Sequence, residues 1–376
     1  MGKFGKKNEI NLNPLAYNIG LLGESGVGKS TIIKQVCEKL VGDEGYISLD
    51  IGKEDGHKAI SGIVTESVPD WETFAEIIDD IVENKDEDYP KLQVVVIDTY
   101  DQLCDLAEKE AIRLYNKKLI GTDKPKADTI NSAWGGFGKG LDKAIDLMLD
   151  KLWALKSVGV SFIVVAHVKR TDITDVMTEE QYTMLTSNTT QRYFNAIKQK
   201  LDFLGMAYID RDIVKVKTNK KDNKGNLIEK GKVSGESRVI NFRDDTYSVD
   251  SKCRFANIVD KISFNADEFI KAMTDAIMAE QQYDGISVED AKKKQAKEAK
   301  EAAKKASETS KALKNNKIDA ERNEELIEII KSKFTSADDD TKAKVKEIMA
   351  ENGIAKFNDP EGTATKPLEE IVALLQ

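Results

Sequence analysis

Gly23-Glu24-Ser25-Gly26-Val27-Gly28-Lys29-Ser30 fits the phosphate-loop pattern G-x-x-x-x-G-K-[ST] at every fixed position. The run Tyr17-Asn18-Ile19-Gly20-Leu21-Leu22 ahead of it reads as a buried strand, and Ile32, Ile33, Val36 and Leu40 behind it recur at helical spacing. The loop therefore joins a strand to a helix N-terminus. Backbone N–H groups in that position, added to the helix dipole, cradle polyphosphate oxygens. Residues Gly23 to Thr31 are the predicted nucleotide-binding stretch, with Lys29 neutralising the β- and γ-phosphates and Ser30 giving its hydroxyl to Mg²⁺.

Further along, strand alternates with helix, which predicts an α/β fold around a mostly parallel sheet. Gly45–Ile51 reads as a second strand carrying Asp50 near its end, followed by the polar Gly52-Lys53-Glu54-Asp55-Gly56. Asp70 is placed to cap a helix that starts at Trp71 and carries Phe74, Ile77, Ile78 and Ile81. Lys91–Thr99 is a continuous apolar, β-branched run closing on Asp98, as expected of a strand buried on both faces. Downstream of a phosphate loop, Asp98 is the predicted metal carboxylate, reaching Mg²⁺ through water. Gly159–His167 is the next such strand, and His167 at its carboxyl end stands where ligands bind in open α/β sheets. A γ-phosphate sensor and a packing histidine are the two readings of that residue.

Three other segments carry candidate chemistry. Ser132–Gly140 interleaves glycines with Trp134, Phe137 and Lys139, so it is either a mobile base-stacking loop or a plain connection to the helix Leu141–Leu155. Lys169–Thr190 is polar and reads as a second mobile loop or a nucleotide lid. From Arg211 to Lys232 a hairpin-like excursion holds eight Lys/Arg against three Asp/Glu, an excess that suits a nucleic-acid backbone but also protects a sheet edge from pairing. Near the close of this core, Lys252 and Arg254 sit two apart on a strand and so point the same way. In a ring or filament they would reach a neighbour's γ-phosphate; otherwise they are solvated cations.

The 376 residues carry 57 Lys+Arg against 66 Asp+Glu, a net charge of −9, so any nucleic-acid contact is confined to a local groove. Cys37, Cys104 and Cys253 are too scattered for a disulfide framework or a zinc site, which fits a reducing cytoplasm. No stretch has the length of a membrane span or the apolar run of a signal peptide. The expected organisation is a basic tail over 1–13, a nucleotide-binding core over 14–283, a Lys/Glu/Ala-rich helical spacer over 284–322, and a small all-α module over 323–376. The module names no chemistry, and partner binding or assembly is its default role.

Taken in order, the phosphate loop, the Asp-bearing second strand, Asp98-Thr99, the Trp134–Gly140 loop, Ala166-His167 and Ser251-Lys252-Cys253-Arg254 resemble one family. They look like the phage-encoded RecA-like AAA-type ATPases of the Sak single-strand-annealing group, over about Pro14 to Gln282. The resemblance implies a RecA-like core that binds ATP with Mg²⁺, associates with single-stranded DNA as an oligomer or filament, and promotes annealing in phage recombination or replication inside the host cytoplasm. It further implies a neighbouring single-strand-binding or replication protein as partner, no membrane, His167 as sensor, and Lys252 with Arg254 as interface cations. The family's catalytic Glu has no strict counterpart: Asp50, or the displaced Glu54, is the candidate base.

Two other readings compete. A nucleotide-gated loader or adaptor would use the C-terminal helices to grip a replication protein without annealing DNA. A GTPase would use Asn219-Lys220-Lys221-Asp222 as its guanine reader, although that motif lies in a polar, lysine-rich turn and Asp98-Thr99-Tyr100-Asp101 lacks the γ-phosphate glycine.

Overall fold

The computed structural model describes residues 10–375 apart from 54–55, 176–177, 222–226, 244–248, 284–287, 336, 355, 358–359 and 361–362. The core runs β1 (Ile19–Gly23), α1 (Lys29–Val41), β2 (Tyr46–Ile51), β3 (Thr65–Val68), α2 (Trp71–Glu83), β4 (Val94–Asp98), α3 (Tyr100–Lys118), α4 (Lys139–Ser157) and β5 (Ser161–Thr174). It continues through β6 (Gln181–Ser187), α5 (Gln191–Lys198), β7 (Phe203–Lys221), β8 (Leu227–Asn241), β9 (Lys252–Cys253), β10 (Lys261–Ser263) and α6 (Ala266–Tyr283). Three helices follow: α7 (Val288–Phe334), α8 (Asp339–Glu351) and α9 (Thr365–Leu374).

The central sheet has the order β10-β8-β7-β1-β5-β4-β2-β3, parallel from β7 to β3 and closed at one edge by antiparallel β8 and β10. Strand β1 is central, and β5 lies between it and β4. Alternation of side chains explains how both faces are filled. Val95, Ile97, Phe162 and Val164 join Phe74, Leu103, Leu152 and Phe194 of α2, α3, α4 and α5 on one face. Val94, Val96, Ile163 and Val165 join Ile32, Val36, Phe269 and Met273 of α1 and α6 on the other. Truncating any one of these buried side chains to Ala costs about 2–5 kcal/mol. The same period of two puts Asp98 on the α1 face with Val94 and Val96, and Asp50 on that face opposite Leu49 and Ile51.

The predicted strands at β1, β2, β4 and β5 and the Asp70-capped helix are present, with Asp70 accepting from the Thr73 N–H at 2.9 Å. The segment Lys169–Thr190 differs from its expected loop. Strand β5 runs on past His167 and pairs with β6 from Val168↔Ser187 to Thr174↔Gln181, after which α5 begins. Strand β7 likewise runs past Ala207 and pairs with β8 out to Lys221↔Leu227. Because β5 and β7 flank β1, two β-arms rise from the sheet edge on either side of the phosphate loop. The first arm reads as a loop in the sequence because Lys169–Thr190 is mostly polar and little apolar alternation marks it, whereas the second is the hairpin-like excursion expected over Arg211–Lys232. Strand β3 escaped notice for a related reason: Thr65, Glu66 and Ser67 are all exposed at the sheet edge.

Residues 1–9 of the basic tail lie outside the described residues, whereas Ile10 and Leu12 pack against the α1 face of the core. At the other end, the predicted spacer and the first helix of the module are one continuous helix, α7. It is not solvated throughout. Ala306 and Ser310 are buried, and the Ser310 hydroxyl bridges the Val82 and Glu83 carbonyls at the end of α2 at 2.7 and 2.8 Å. Beyond that contact, Ile327 and Ile330 of α7 close a small core with Val345, Leu368, Ile371 and Val372. Among the described residues no helix is long and apolar enough to cross a membrane.

Candidate active site

The phosphate loop leaves β1 at Gly23, where any side chain would collide with the Ala207 carbonyl at 2.6 Å, so glycine is required for the strands to approach. Gly26 and Gly28 adopt φ of +74° and +105°, a region open to glycine at no cost. They turn the chain so that α1 starts at Lys29 with its free N–H groups over the loop. Lys29 is 6% exposed, and its ammonium group donates to the Gly23 and Glu24 carbonyls at 3.1 Å each. The cation is thus held inside the loop, at the place where phosphate charge would be met.

Ser30 and Asp98 converge from different elements. The Ser30 hydroxyl donates to Asp98 Oδ2 at 2.5 Å, so the first turn of α1 and the tip of β4 face one another across the same sheet edge. Asp50 is the register partner of Asp98 on β2 and lies on the same face. Glu54, the other candidate base, lies outside the described residues. A hydroxyl and a carboxylate oxygen side by side, with a lysine in the adjoining loop, are a hard-oxygen donor pair suited to Mg²⁺. That ion takes one or two protein oxygens and completes its octahedron with phosphate and water.

Asp98 Oδ2 has a second partner that the sequence reading passed over. His57 is 5% exposed, and its Nε2–H donates to Asp98 Oδ2 at 3.0 Å while Nδ1 shares a hydrogen bond with the Thr65 hydroxyl at 2.6 Å. No local pattern marks His57, which sits in a short helical turn, Gly56–Ala59, between two polar stretches.

The other sequence-predicted residues divide by sheet edge. His167 pairs in register with Gly23, at the phosphate-loop edge. Its N–H donates to Asp101 Oδ2 at 2.8 Å, and its ring Nδ1 lies 3.4 Å from the same oxygen. Asp101 Oδ1 is buried with no hydrogen-bond partner among the described residues, a free acceptor beside the site. Lys252 and Arg254 stand at the opposite edge. Strand β9 pairs Cys253 with Phe203, four residues below Ala207, which is ~13 Å along the strand. There Lys252 Nζ donates to the Lys198 and Gln199 carbonyls at 2.8 and 3.2 Å, and Arg254 Nη2 donates to Gln199 O at 2.8 Å, together covering the C-terminus of α5. Burial, with Arg254 beside it, pushes the Lys252 ammonium below its ordinary pKa.

Two arginines not singled out in the sequence lie nearer the loop. A side chain at Gly28 would meet the Phe264 ring at 3.3 Å and Arg238 Nη1 at 3.7 Å, so the Arg238 guanidinium flanks the loop. Arg170, on the β5–β6 arm, lies 3.5 Å from the Glu24 carboxylate. The Trp134 loop is partly committed: Trp134 donates from Nε1 to the Ala111 carbonyl at 2.9 Å, and Lys118 sits 4.4 Å above its ring. Phe137 is fully exposed. Asn219, Lys220 and Lys221 belong to the outer end of β7, twelve residues or ~40 Å of strand beyond Ala207, and Asp222 lies outside the described residues.

No curated protein matches the chain. A family model does match: residues 15–255, well over half of the sequence, fit an AAA domain. The matched span takes in the phosphate loop, Asp98, His167 and both arms, and the activity it indicates is nucleotide hydrolysis. The chain belongs to the AAA-domain family of P-loop ATPases.

Proposed function

We propose that this protein is a Mg²⁺-dependent ATPase that acts on single-stranded DNA in phage recombination or replication, promoting strand annealing. The observation that carries the reading is the placement of two β-arms on either side of the phosphate loop, one of them continuing into the lysine-rich stretch Arg211–Lys232. Charge on that arm suits a phosphate backbone, and the arm springs from the strand next to the loop, so occupancy of the loop and contact with DNA are mechanically adjacent. When bound, Mg²⁺ would neutralise phosphate charge and orient the γ-phosphoryl group for in-line attack.

The chain's own groups then divide the work. Lys29 and the α1 N-terminus bind the phosphates, Ser30 and Asp98 hold the metal side, and Asp50 orients the attacking water from the neighbouring strand. His167 with Asp101 would report the state of the γ-phosphate to the β5–β6 arm, which begins at the next residue. Lys252 and Arg254 are assigned to an interface, completing a neighbouring subunit's site in an oligomer or filament. A GTPase reading has less support, because a guanine reader must lie beside the nucleotide and Asn219–Lys221 stand far out on the arm.

The test is single-stranded DNA binding measured by fluorescence anisotropy with and without Mg·ATP across a salt series. The expected result is tighter binding with Mg·ATP and an affinity that falls steeply with salt, the slope shrinking by about one for each phosphate-contacting lysine neutralised between Arg211 and Lys232. Binding indifferent to salt and to those substitutions would point instead to a loader or adaptor working through the terminal helices.

A further inference from the structure

We propose that His57 is a positioning residue for the metal carboxylate: it holds Asp98 in the orientation that the Mg²⁺ site requires, and this rests on the ATPase reading above. Three observations carry it. The ring is buried on the α1 face between β2, β3 and β4, where a polar group is retained when it is hydrogen-bonded. Both nitrogens are engaged, Nε2 with Asp98 Oδ2 at 3.0 Å and Nδ1 with Thr65 Oγ1 at 2.6 Å, so the ring cannot turn without losing one of them. Thr65 is itself placed by the pairing of β3 with β2, where its hydroxyl oxygen lies between Nδ1 and the Ser48 carbonyl, 2.9 Å from the latter, with one proton for either acceptor.

Oδ2 is also the oxygen that accepts from Ser30. The carboxylate is therefore pinned through one oxygen by a loop-helix hydroxyl and a buried imidazole that approach from different elements. A carboxylate free to rotate about its χ angles would spend part of its time turned away from the phosphate loop. Outer partners of this kind set the direction of metal ligands, and their removal typically weakens metal binding by 10- to 100-fold. The line Asp98–His57–Thr65–Ser48 runs from the tip of β4 across β2 to the edge strand β3, so the rigidity of the metal side is borrowed from the sheet edge farthest from β8.

The test uses the full-length protein and three variants, His57→Ala, His57→Gln and Thr65→Val. Nucleotide retention is titrated with Mg²⁺, and Mn²⁺ binding in the presence of ADP is followed by electron paramagnetic resonance. Glutamine can present its amide N–H where Nε2 stands, so it is the conservative rescue. We expect His57→Ala to raise the half-saturating metal concentration by about 10-fold or more, Thr65→Val to raise it less, and His57→Gln to restore it largely. Circular dichroism checks that each variant is folded; if His57→Ala is not, the valine variant decides on its own. Metal affinity unchanged in Thr65→Val, with His57→Ala unfolded or equally unchanged, would overturn the proposal and leave His57 a packing residue. Failure of the wild-type protein to retain nucleotide with either metal would sink the ATPase reading, and this proposal with it.

Discussion

Arg170 Nη2 lies 3.5 Å from Glu24 Oε1, and the other oxygen of the same carboxylate accepts from the Ile209 N–H at 3.3 Å. One side chain of the phosphate loop thereby touches the base of both β-arms. Replacing Glu24 with Ala removes both contacts, each worth about 0.5–1.5 kcal/mol net. Amide exchange should accelerate several-fold in peptides covering 168–172 and 205–211, with the outer ends of the arms unchanged. Equal protection in wild type and variant would show that Glu24 does not tie the arms.

The loop lysine and Asp98 give a sharper expectation. Lys29→Ala and Asp98→Asn should each lower phosphate release from ATP by ~10² or more, because each removes charge stabilisation aimed at the transferring group. Asp50→Asn should lower turnover by ~10²–10⁴ while leaving nucleotide affinity within a few-fold, the signature of a lost base. If Glu54→Gln shows that signature and Asp50→Asn does not, Glu54 is the base.

Lys252 and Arg254 can be tested for two roles at once. As covers of the α5 C-terminus they contribute a modest stabilisation, so Arg254→Ala should lower the melting temperature by a few degrees. As interface cations they should make turnover per subunit rise with protein concentration, and the double alanine variant should lose that rise. A stability loss with the concentration dependence intact would confine both residues to the capping role.

Thiol chemistry offers a check on the core. Burial pushes Cys37 up to about 12, raises Cys104 well above the usual thiol range, and raises Cys253 less strongly. The reactive species is the thiolate, so at pH 8 a disulfide reagent should label native protein slowly at Cys253 and leave Cys37 and Cys104 untouched until denaturant is added. Rapid labelling of all three thiols in the native state would mean that α1 or α3 does not pack as described.

What could be read from the sequence is what is local. The phosphate loop is one contiguous pattern flanked by its own strand and helix, and Asp98 closes a run that hydropathy alone identifies. His57 could not be found that way, since its partner is 41 positions away and the turn that carries it has no periodicity. Arg238 and Arg170 come to the loop through strand register, and the placement of Lys252 and Arg254 at the far edge depends on the pairing of β9 with β7. Position in the chain gave no hint of which edge they occupy.

Ser310 shows how the terminal helices are tied in. Ser310→Ala would leave the Val82 and Glu83 carbonyls to find other donors, a loss of about 1–3 kcal/mol. Protease cleavage in α7 should become faster than in wild type, with the core over 14–283 still intact. Unchanged cleavage would mean that the helix is held elsewhere.

Helix α7 spans 47 residues, ~70 Å, and is gripped near its middle by α2. It is placed as a lever would be, with its fulcrum on the flank of the ATPase sheet and the Ile327–Val372 bundle at its tip. A load on that bundle would bear as torque on α2, which shares a core with Leu49 and Ile97, neighbours of Asp50 and Asp98 on their strands.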